Sequence, residues 1–352
     1  MTVLKDVDVV VVGGGINGLT AALYLVKAGI NVTLMEASDS IGGQVKTTDV
    51  EFEGVTYSIE EGAEGYVASS TLFPEIAGIV GVKECITKQE VVADFQLGSD
   101  FSLTKLEPGE AARKLGFKVP KEDTGKGVCS FKQGMSQLTR GIIDYLQTHP
   151  NFSLLLSAKV KQVQDDGNFI FLTTERGITV EADFVIFSIF PEIAFPLISP
   201  LAILPPRIFN SHVSMHALVR AGDLEICNPR SFTVASDFQE ELKGLRAVSF
   251  VNEKFSTRVP PGFWLFRFYF RRAKKEEEIC AEILDKLFHV SEILQLTASV
   301  WENALPEFSE PGNFKNLEIS TPRMVVSIPD CAGLQGAAAA GKNSANRILE
   351  LV

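Results

Sequence analysis

Three glycines near the amino terminus, Gly13, Gly15 and Gly18, have the spacing of a loop that holds the pyrophosphate of a dinucleotide. The first glycine permits a tight turn, the second lets the backbone approach the phosphates, and the third lets a helix pack closely on a strand. Ile16 and Asn17 lie between them, where N–H groups at the start of a helix would face the phosphate oxygens. The spacing therefore predicts dinucleotide binding, with a purely structural glycine turn as the alternative.

The elements that position this loop form a strand, a helix and a second strand. Residues 8–12 (Asp-Val-Val-Val-Val) and 31–36 (Asn-Val-Thr-Leu-Met-Glu) are apolar runs typical of buried strands, and helically spaced apolar residues lie between them until Gly29. Glu36 ends the second strand, where its carboxylate could accept hydrogen bonds from adenosine ribose hydroxyls, and Ala37 follows it. This βαβ unit favours dinucleotide binding but leaves FAD and NAD both open.

The choice of FAD comes from two later segments, residues 41–47 (Ile-Gly-Gly-Gln-Val-Lys-Thr) and 61–65 (Glu-Gly-Ala-Glu-Gly). They resemble the second and third signatures of the flavin-containing amine oxidase and protoporphyrinogen oxidase superfamily. The resemblance implies that the first segment runs along the FAD diphosphate and that the second passes near the isoalloxazine ring. The implied contacts are Gly42, Gly43, Gln44, Gly62, Ala63 and Glu64.

The resemblance extends along most of the chain. Residues 130–138 are similar to the loop and helix that re-enter the FAD domain, and residues 246–268 resemble a strand pair of the substrate sheet. The closing helix of the family points its amino terminus at the flavin pyrimidine edge, where the reduced ring becomes anionic. Further cofactor contacts implied by the family's later motifs are Val160, Trp301, Leu334, Gln335 and Ala337.

Three features depart from the family pattern. Gln44 stands where relatives carry arginine, a loss that Lys46 could partly offset. Residues 318–323 show no Gly-Asp or Gly-Glu pair for the ribityl chain. Residues 115–129 replace a large helical subdomain that supplies much of the substrate pocket and, in protoporphyrinogen oxidases, the membrane contact. The short architecture is similar to that of renalase-like flavoproteins.

The length of 352 residues favours two domains that share one ligand site. We expect an α/β fold with a discontinuous Rossmann-type FAD-binding domain and a smaller sheet-plus-helix substrate domain. The FAD domain is predicted over residues 1–90, 128–195 and 312–352, and the substrate domain over 91–127 and 196–311. Residues 154–190 alternate strand-like runs with turns and predict a three-stranded meander, whereas residues 279–288 carry the apolar spacing of a helix.

Composition excludes several other classes. A net charge of −11 argues against nucleic acid as a partner, and the five cysteines form no Cys-x-x-Cys pair, so no metal site is expected. His212 and His216 lack a nearby third ligand, which favours structural roles. The chain shows no secretory leader, so a cytoplasmic location is expected. Residues 184–206 are apolar but hold five prolines, so they cannot span a membrane; an interfacial patch is the alternative.

The predicted activity is that of an FAD-dependent oxidoreductase. A hydride would pass from a small organic substrate to flavin N5, with oxygen or another acceptor reoxidising the flavin. No side chain is assigned a catalytic role, although Phe263, Trp264, Phe266, Phe268 and Phe270 could in part form an aromatic wall beside the flavin. The alternatives are an FAD-binding protein without turnover and a renalase-like nicotinamide-oxidising flavoprotein. The substrate and the oligomeric state stay open.

Overall fold

The computed structural model describes residues 3–92, 94–115, 124–199, 209–223, 230–271, 275–306, 322–330 and 333–352. Two seven-stranded sheets dominate these residues, and two small sheets connect them. Each large sheet has its own buried apolar core. The candidate functional residues lie where the carboxyl ends of the first sheet face the second sheet.

The first large sheet has a parallel core. Its strands are β1 (Val3–Val12), β2 (Val32–Met35), β10 (Phe152–Leu155), β11 (Val160–Asp165), β12 (Ile170–Thr174), β13 (Thr179–Phe187) and β19 (Met324–Val326). The order is β10-β2-β1-β13-β12-β11, and β19 pairs with the carboxyl-terminal half of β13. Strands β10, β2, β1, β13 and β19 run parallel, so their carboxyl ends meet at one edge. Val9, Val10 and Val11 are fully buried, as expected for a strand covered on both faces.

Four helices cover one face of this sheet. They are α1 (Ile16–Lys27), α2 (Leu72–Ile79), α4 (Ser136–Gln147) and α8 (Leu334–Leu349). Helix α1 packs against α8 so closely that a Cβ atom on Gly341 would lie 2.1 Å from the carbonyl oxygen of Asn17. On the other face, α5 (Pro191–Ile198) packs near the antiparallel meander of β11, β12 and β13.

The second large sheet supplies the wall that faces the first. Its strands are β7 (Phe95–Leu97), β8 (Leu103–Lys105), β14 (Phe209–Arg220), β15 (Phe232–Val234), β16 (Leu245–Phe250), β17 (Phe263–Arg271) and β18 (Gln295–Pro306). The order is β18-β14-β17-β16-β15-β7-β8. Side chains alternate along β17, so Phe266, Phe268 and Phe270 are buried on one face, in the same core as α7 (Glu276–Phe288). The opposite face carries Arg267 and Tyr269.

Smaller elements link the two sheets. The hairpin of β3 (Thr47–Phe52) and β4 (Val55–Glu60) packs Tyr57 and Ile59 against Leu218 and Leu265 of the second sheet. A three-stranded sheet is formed by β5 (Tyr66–Val67), β6 (Ile86–Lys88) and β9 (Val128–Phe131). Short helices α3 (Glu110–Lys114) and α6 (Val251–Lys254) complete the list. The hairpin therefore brings Glu60, at the end of β4, against the polar face of β17.

The predicted α/β class and the first βαβ unit are confirmed. Strand β1 begins at Val3 rather than near Asp8, because its amino-terminal half pairs with β13. The meander is present, and β10 adds a parallel strand before it. The predicted domain boundaries stay a prediction.

The apolar segment 184–206 contains the end of β13 and helix α5. Its last part, residues 200–206, lies outside the described residues. No helix in the part of the chain described here is both long enough and apolar enough to cross a membrane.

Candidate functional site

The glycine loop sits at the edge where β1, β2, β13 and β19 end. Gly13 adopts φ +107°, and a Cβ atom there would lie 2.7 Å from the carbonyl oxygen of Ser188. A Cβ atom on Gly18 would lie 1.9 Å from the carbonyl oxygen of Gly13. At Gly15, by contrast, an added Cβ atom would meet no described atom within 4 Å. The first and third glycines are thus required by packing, whereas the second leaves open space where a ligand could approach.

Helix α1 offers unshielded donors at this open space. Its N-cap is Gly15, which supplies no side-chain hydrogen bond, and its first turn contains no acidic residue. The side chain of Ile16 is buried in the core, so only its backbone faces the loop. Asn17 uses its side chain structurally: its amide donates to the Ser327 carbonyl at 3.1 Å and accepts from the Ser327 hydroxyl at 2.7 Å. The helix start can therefore receive an anion through its backbone N–H groups.

Glu36 lies beside the glycine loop at the end of β2. Its carboxylate accepts a hydrogen bond from the Gly14 N–H at 2.6 Å and others from the Ser38 N–H and hydroxyl at 2.8 and 2.9 Å. Its backbone carbonyl accepts from the Ala158 N–H at 2.8 Å. The segment leading to Val160 thus lies next to Glu36, and exposed Ala37 is adjacent. These residues could form one adenosine-binding wall.

The second predicted segment runs directly across the first glycine loop. The Gly42 N–H donates to the Gly14 carbonyl at 2.8 Å, and Gly15 and Gly42 form an isolated parallel bridge. A Cβ atom on Gly43 would lie 3.2 Å from Gly15 Cα. The structure therefore brings the second segment against the first glycine loop, and the contact of both with the diphosphate stays a prediction.

The third segment follows on from the second. A Cβ atom on Gly62 would lie 1.9 Å from the carbonyl oxygen of half-buried Gln44, and the Ala63 N–H donates to that carbonyl at 3.2 Å. The ammonium group of Lys46 pairs with Glu61 at 3.0 Å. Trp301 on β18 donates from Nε1 to the Glu61 carbonyl at 2.8 Å. The predicted contacts from Gln44 to Ala63 thus form one continuous strip.

Helix α8 packs on α1 and follows β19 in the chain, a strand whose carboxyl end lies at the same sheet edge as the glycine loop. Its N-cap, Gly333, supplies no side-chain cap, and Leu334 is buried. The Oε1 atom of Gln335 is buried and has no hydrogen-bond partner among the described atoms. Ala337 is half-buried. An unpaired buried acceptor beside an uncapped helix start is consistent with a polar ligand there.

The side chain of Glu64 belongs to a buried charge network rather than standing free for a cofactor. Its carboxylate accepts from Lys254 at 2.8 Å and from the Tyr269 hydroxyl at 3.2 Å, and both charged side chains are largely buried. Burial alone would raise the pKa of Glu64, but Lys254 and Arg267 outweigh it and hold the pKa at about 2. Glu64 therefore stays ionised and ties the third segment to the second sheet.

A second ion pair lies beside the first. Arg258 pairs with Glu60 at 3.2 Å, and both side chains are almost fully buried. The Glu60 carboxylate also accepts from the Met135 N–H at 2.8 Å and from Thr47 Oγ1 at 2.8 Å. Burial raises the pKa of Glu60, and Arg258 opposes that rise. We name Glu60, Glu64, Lys254, Arg258 and Arg267 the buried ion cluster.

Arg267 connects the cluster to the predicted flavin strip. Its Nη2 donates to the Gly62 carbonyl at 2.5 Å and its Nε to the Ser214 hydroxyl at 2.7 Å. His216 lies directly opposite on β14 and is fully buried. Burial, and then the charge of Arg267, hold the pKa of His216 well below its usual range. The polar face of β14 and β17 is therefore placed against the third segment.

The structure corrects the idea of an aromatic wall. Phe266, Phe268 and Phe270 are fully buried beneath α7, because strand alternation turns them away from the first sheet. That same alternation places Arg267 and Tyr269 on the opposite face of β17, the face that meets the third segment.

His212 is half-buried and His216 is fully buried on strand β14, in agreement with the structural role predicted. Burial lowers the pKa of His212 to about 4, and Arg267 and Arg246 add to the effect. Among the described residues, no three His, Cys, Asp or Glu side chains are grouped to hold a metal.

Residues 318–323 contain no Gly-Asp or Gly-Glu pair for the ribityl chain, and residues 318–321 lie outside the described residues. Strand β19 also ends at the edge that carries the glycine loop, and Ser327 follows it. The acid on this stretch before α8 is Asp330, which sequence reasoning missed.

Comparison with protein families gives two matches. A model described as an NAD(P)-binding Rossmann-like domain matches residues 11–76. A model described as flavin containing amine oxidoreductase matches residues 86–349, well over half of the chain. Together they cover both large sheets.

Curated relatives match over short stretches of the chain. Amine oxidase [flavin-containing] A of Sus scrofa is 55% identical over 51 residues, or 14% of this chain and 9% of that protein. Carotenoid 3,4-desaturase of Haloarcula japonica is 47% identical over 51 residues, or 14% of this chain and 10% of that protein. The matched segment thus spans no more than about a tenth of either relative.

Solved structures match over nearly the whole chain. A provisionally assigned protoporphyrinogen oxidase from Exiguobacterium sp. 255-15 superposes with a TM-score of 0.80 at 17% identity, covering 99% of this chain and 100% of that one. Cyclohexylamine oxidase from Brevibacterium oxydans IH-35A superposes with a TM-score of 0.73 at 15% identity, covering 99% of both chains. At these identities the likeness concerns the fold.

Proposed function

The chain belongs to the flavin containing amine oxidoreductase family, whose cofactor is FAD, and we propose that it oxidises a small organic substrate by removing a hydride from a C–H bond. The family confirms the sequence-based prediction of an FAD-dependent oxidoreductase class. Bound FAD would accept the hydride at N5, and oxygen or another acceptor would reoxidise it. The substrate and the acceptor are part of the proposal.

One observation carries the proposal: the three sequence motifs lie against one another beside the open space at Gly15, which we name the cradle. Gly15 leaves open room in front of the uncapped start of α1, and Gly42 and Gly43 cross that start directly. Backbone N–H groups of α1 would bind the diphosphate, and Glu36 would bind the adenosine ribose. Gln335 would supply a polar contact that it otherwise lacks.

We further propose that the polar face of the second sheet lines the substrate side of this cradle. Arg267 fixes the Gly62 carbonyl, and Trp301 fixes the Glu61 carbonyl, so these side chains hold the third segment in position. The domains would divide as predicted from the sequence, with each large sheet at the core of one. A cytoplasmic location remains part of the proposal.

A panel of primary amines, cyclic amines and reduced nicotinamides tests the reaction. We expect one class to bleach the flavin absorbance of the FAD-loaded protein without oxygen, and air or an artificial acceptor to restore it. Failure of chemically reduced protein to regain its absorbance with either acceptor would contradict turnover by hydride transfer.

Flavin binding without turnover is the second candidate. The observation that favours it is the short connection between β8 and β9, in which the described residues form only the five-residue helix α3. That stretch is too short for the helical substrate subdomain of relatives. This candidate predicts stoichiometric FAD and no reduction by any member of the panel.

A further inference from the structure

A small cavity lies between the β3–β4 hairpin and the polar face of the second sheet. Its volume is about 10 Å3, and it is lined by Glu60, Glu64, His216, Arg258 and Arg267, among others. A space of this size holds one particle about as large as a water molecule. The cavity is therefore too small for a carboxylate, a phosphate or an organic substrate.

Two arginines that line this cavity each have a buried hydrogen-bond donor without a partner among the described atoms. The Nη1 atom of Arg267 and the Nε atom of Arg258 are buried and make no hydrogen bond with any described atom. These residues are 1% and 4% exposed. Neither ring nitrogen of fully buried His216 has a partner of hydrogen-bonding geometry, although the Glu60 carbonyl lies near the ring. Because guanidinium nitrogens can only donate, the occupant must accept hydrogen bonds.

The charges around the cavity do not balance. The buried ion cluster contains three cations, Lys254, Arg258 and Arg267, and two carboxylates, Glu60 and Glu64, which leaves one positive charge in excess. His216 adds none while it is neutral. An uncompensated buried charge costs several kcal/mol, on the order of the total stability of a domain. The occupant that balances the cluster carries one negative charge.

We propose that this cavity binds a single monatomic anion, chloride being the abundant one, through Arg267 Nη1 and Arg258 Nε. A water molecule would accept the same hydrogen bonds but would leave the excess charge. The anion would join Arg258, which pairs with Glu60 of the β3–β4 hairpin, to Arg267 on β17 of the second sheet. It would therefore stabilise the contact between the β3–β4 hairpin and the second sheet.

The effect of small anions on thermal unfolding tests the proposal. The measurement uses the full chain, with and without added FAD. Thermal unfolding is measured at constant ionic strength while gluconate is replaced by chloride or bromide. We expect both halides to raise the midpoint by about 2–4 °C, since a ligand that binds only the native state stabilises it. Crystals soaked in bromide should show one anomalous peak within hydrogen-bond distance of Arg267 and Arg258.

Matched variants separate the site from a general salt effect. Arg267→Met removes one proposed ligand, whereas Arg220→Met removes an exposed arginine of the same sheet that pairs with Glu53. The halide effect should disappear in the first variant and persist in the second. If Arg267→Met does not fold, the proposal is tested on the unaltered chain, by the bromide-soaked crystals and by thermal unfolding in halides. An ordered water without anomalous signal, together with equal midpoints in gluconate and halide, would overturn the proposal.

Discussion

Alanine at Gly15 and alanine at Gly18 should have opposite effects on FAD binding and on folding. Gly15 has φ −73° and ψ 176°, a conformation open to alanine, and its added Cβ atom meets no described atom within 4 Å. We expect Gly15→Ala to change the free energy of unfolding by no more than about 1 kcal/mol. The new methyl group would instead occupy the space proposed for the diphosphate.

The expected loss of affinity follows from the hydrogen bonds displaced. Losing one hydrogen bond to a charged phosphate costs about 1.5–3 kcal/mol. This corresponds to a rise in the FAD Kd of roughly 10- to 150-fold. Gly18→Ala instead brings its Cβ atom within 1.9 Å of the Gly13 carbonyl oxygen, so the backbone itself must move. Overpacking of this kind costs about 3 kcal/mol or more, which lowers the unfolding midpoint by roughly 5 °C or more.

The assay compares thermal unfolding of the FAD-free protein with FAD affinity from quenching of flavin fluorescence. Gly222→Ala is the matched control, because its Cβ atom also meets no described atom within 4 Å but lies far along the chain from the glycine loop. Unchanged FAD affinity in a folded Gly15→Ala variant would refute the assignment of the diphosphate to this loop. A large fall in the thermal unfolding midpoint of Gly15→Ala would contradict the inference that Gly15 faces open space.

Three further predictions concern the cofactor and the ion cluster. Glu36→Ala should weaken FAD retention on dialysis, since it removes the proposed ribose acceptor; unchanged retention would show the ribose assignment to be wrong. Ala337→Asp should lower the flavin reduction potential or the FAD occupancy at an unchanged cooperative unfolding transition, because it places a negative charge at the start of α8. Glu64 has a pKa of about 2 against an ordinary value of 4.5, so its ionisation stabilises the native protein above that value and the stabilisation is lost as pH falls toward 2. Glu64→Gln should therefore flatten the decline of the unfolding midpoint in acid, and an unchanged acid profile would contradict the pairing with Lys254 and Arg267.

Local features of the fold were predictable because their causes lie close together in the sequence. Gly18 faces the Gly13 carbonyl, a contact that the βαβ geometry itself creates, and the glycine spacing alone indicated the loop. The helix from Glu276 to Phe288 follows from apolar residues at helical intervals. The family resemblance implied that the segment with Gly42 runs along the diphosphate, whereas the bridge between Gly42 and Gly15 is a contact that no local pattern contains.

The buried ion cluster was not predictable in the same way. Arg258 and Glu60 are far apart in the chain, and only the packing of the β3–β4 hairpin on the second sheet brings them to 3.2 Å. Strand alternation separates Arg267 from the phenylalanines of β17, but it does not reveal which face meets the first sheet. Glu64 was predicted as a cofactor contact from its motif, whereas its side chain pairs with Lys254.

The central claim is that this chain binds FAD in the cradle around Gly15, and an absorption spectrum tests it most directly. The purified chain is incubated with FAD, passed through a desalting column and examined for flavin bands, with NAD in a parallel sample. We predict about one retained FAD per chain and no retained NAD. Protein that is folded by its cooperative thermal transition yet leaves the column without flavin absorbance would contradict the account.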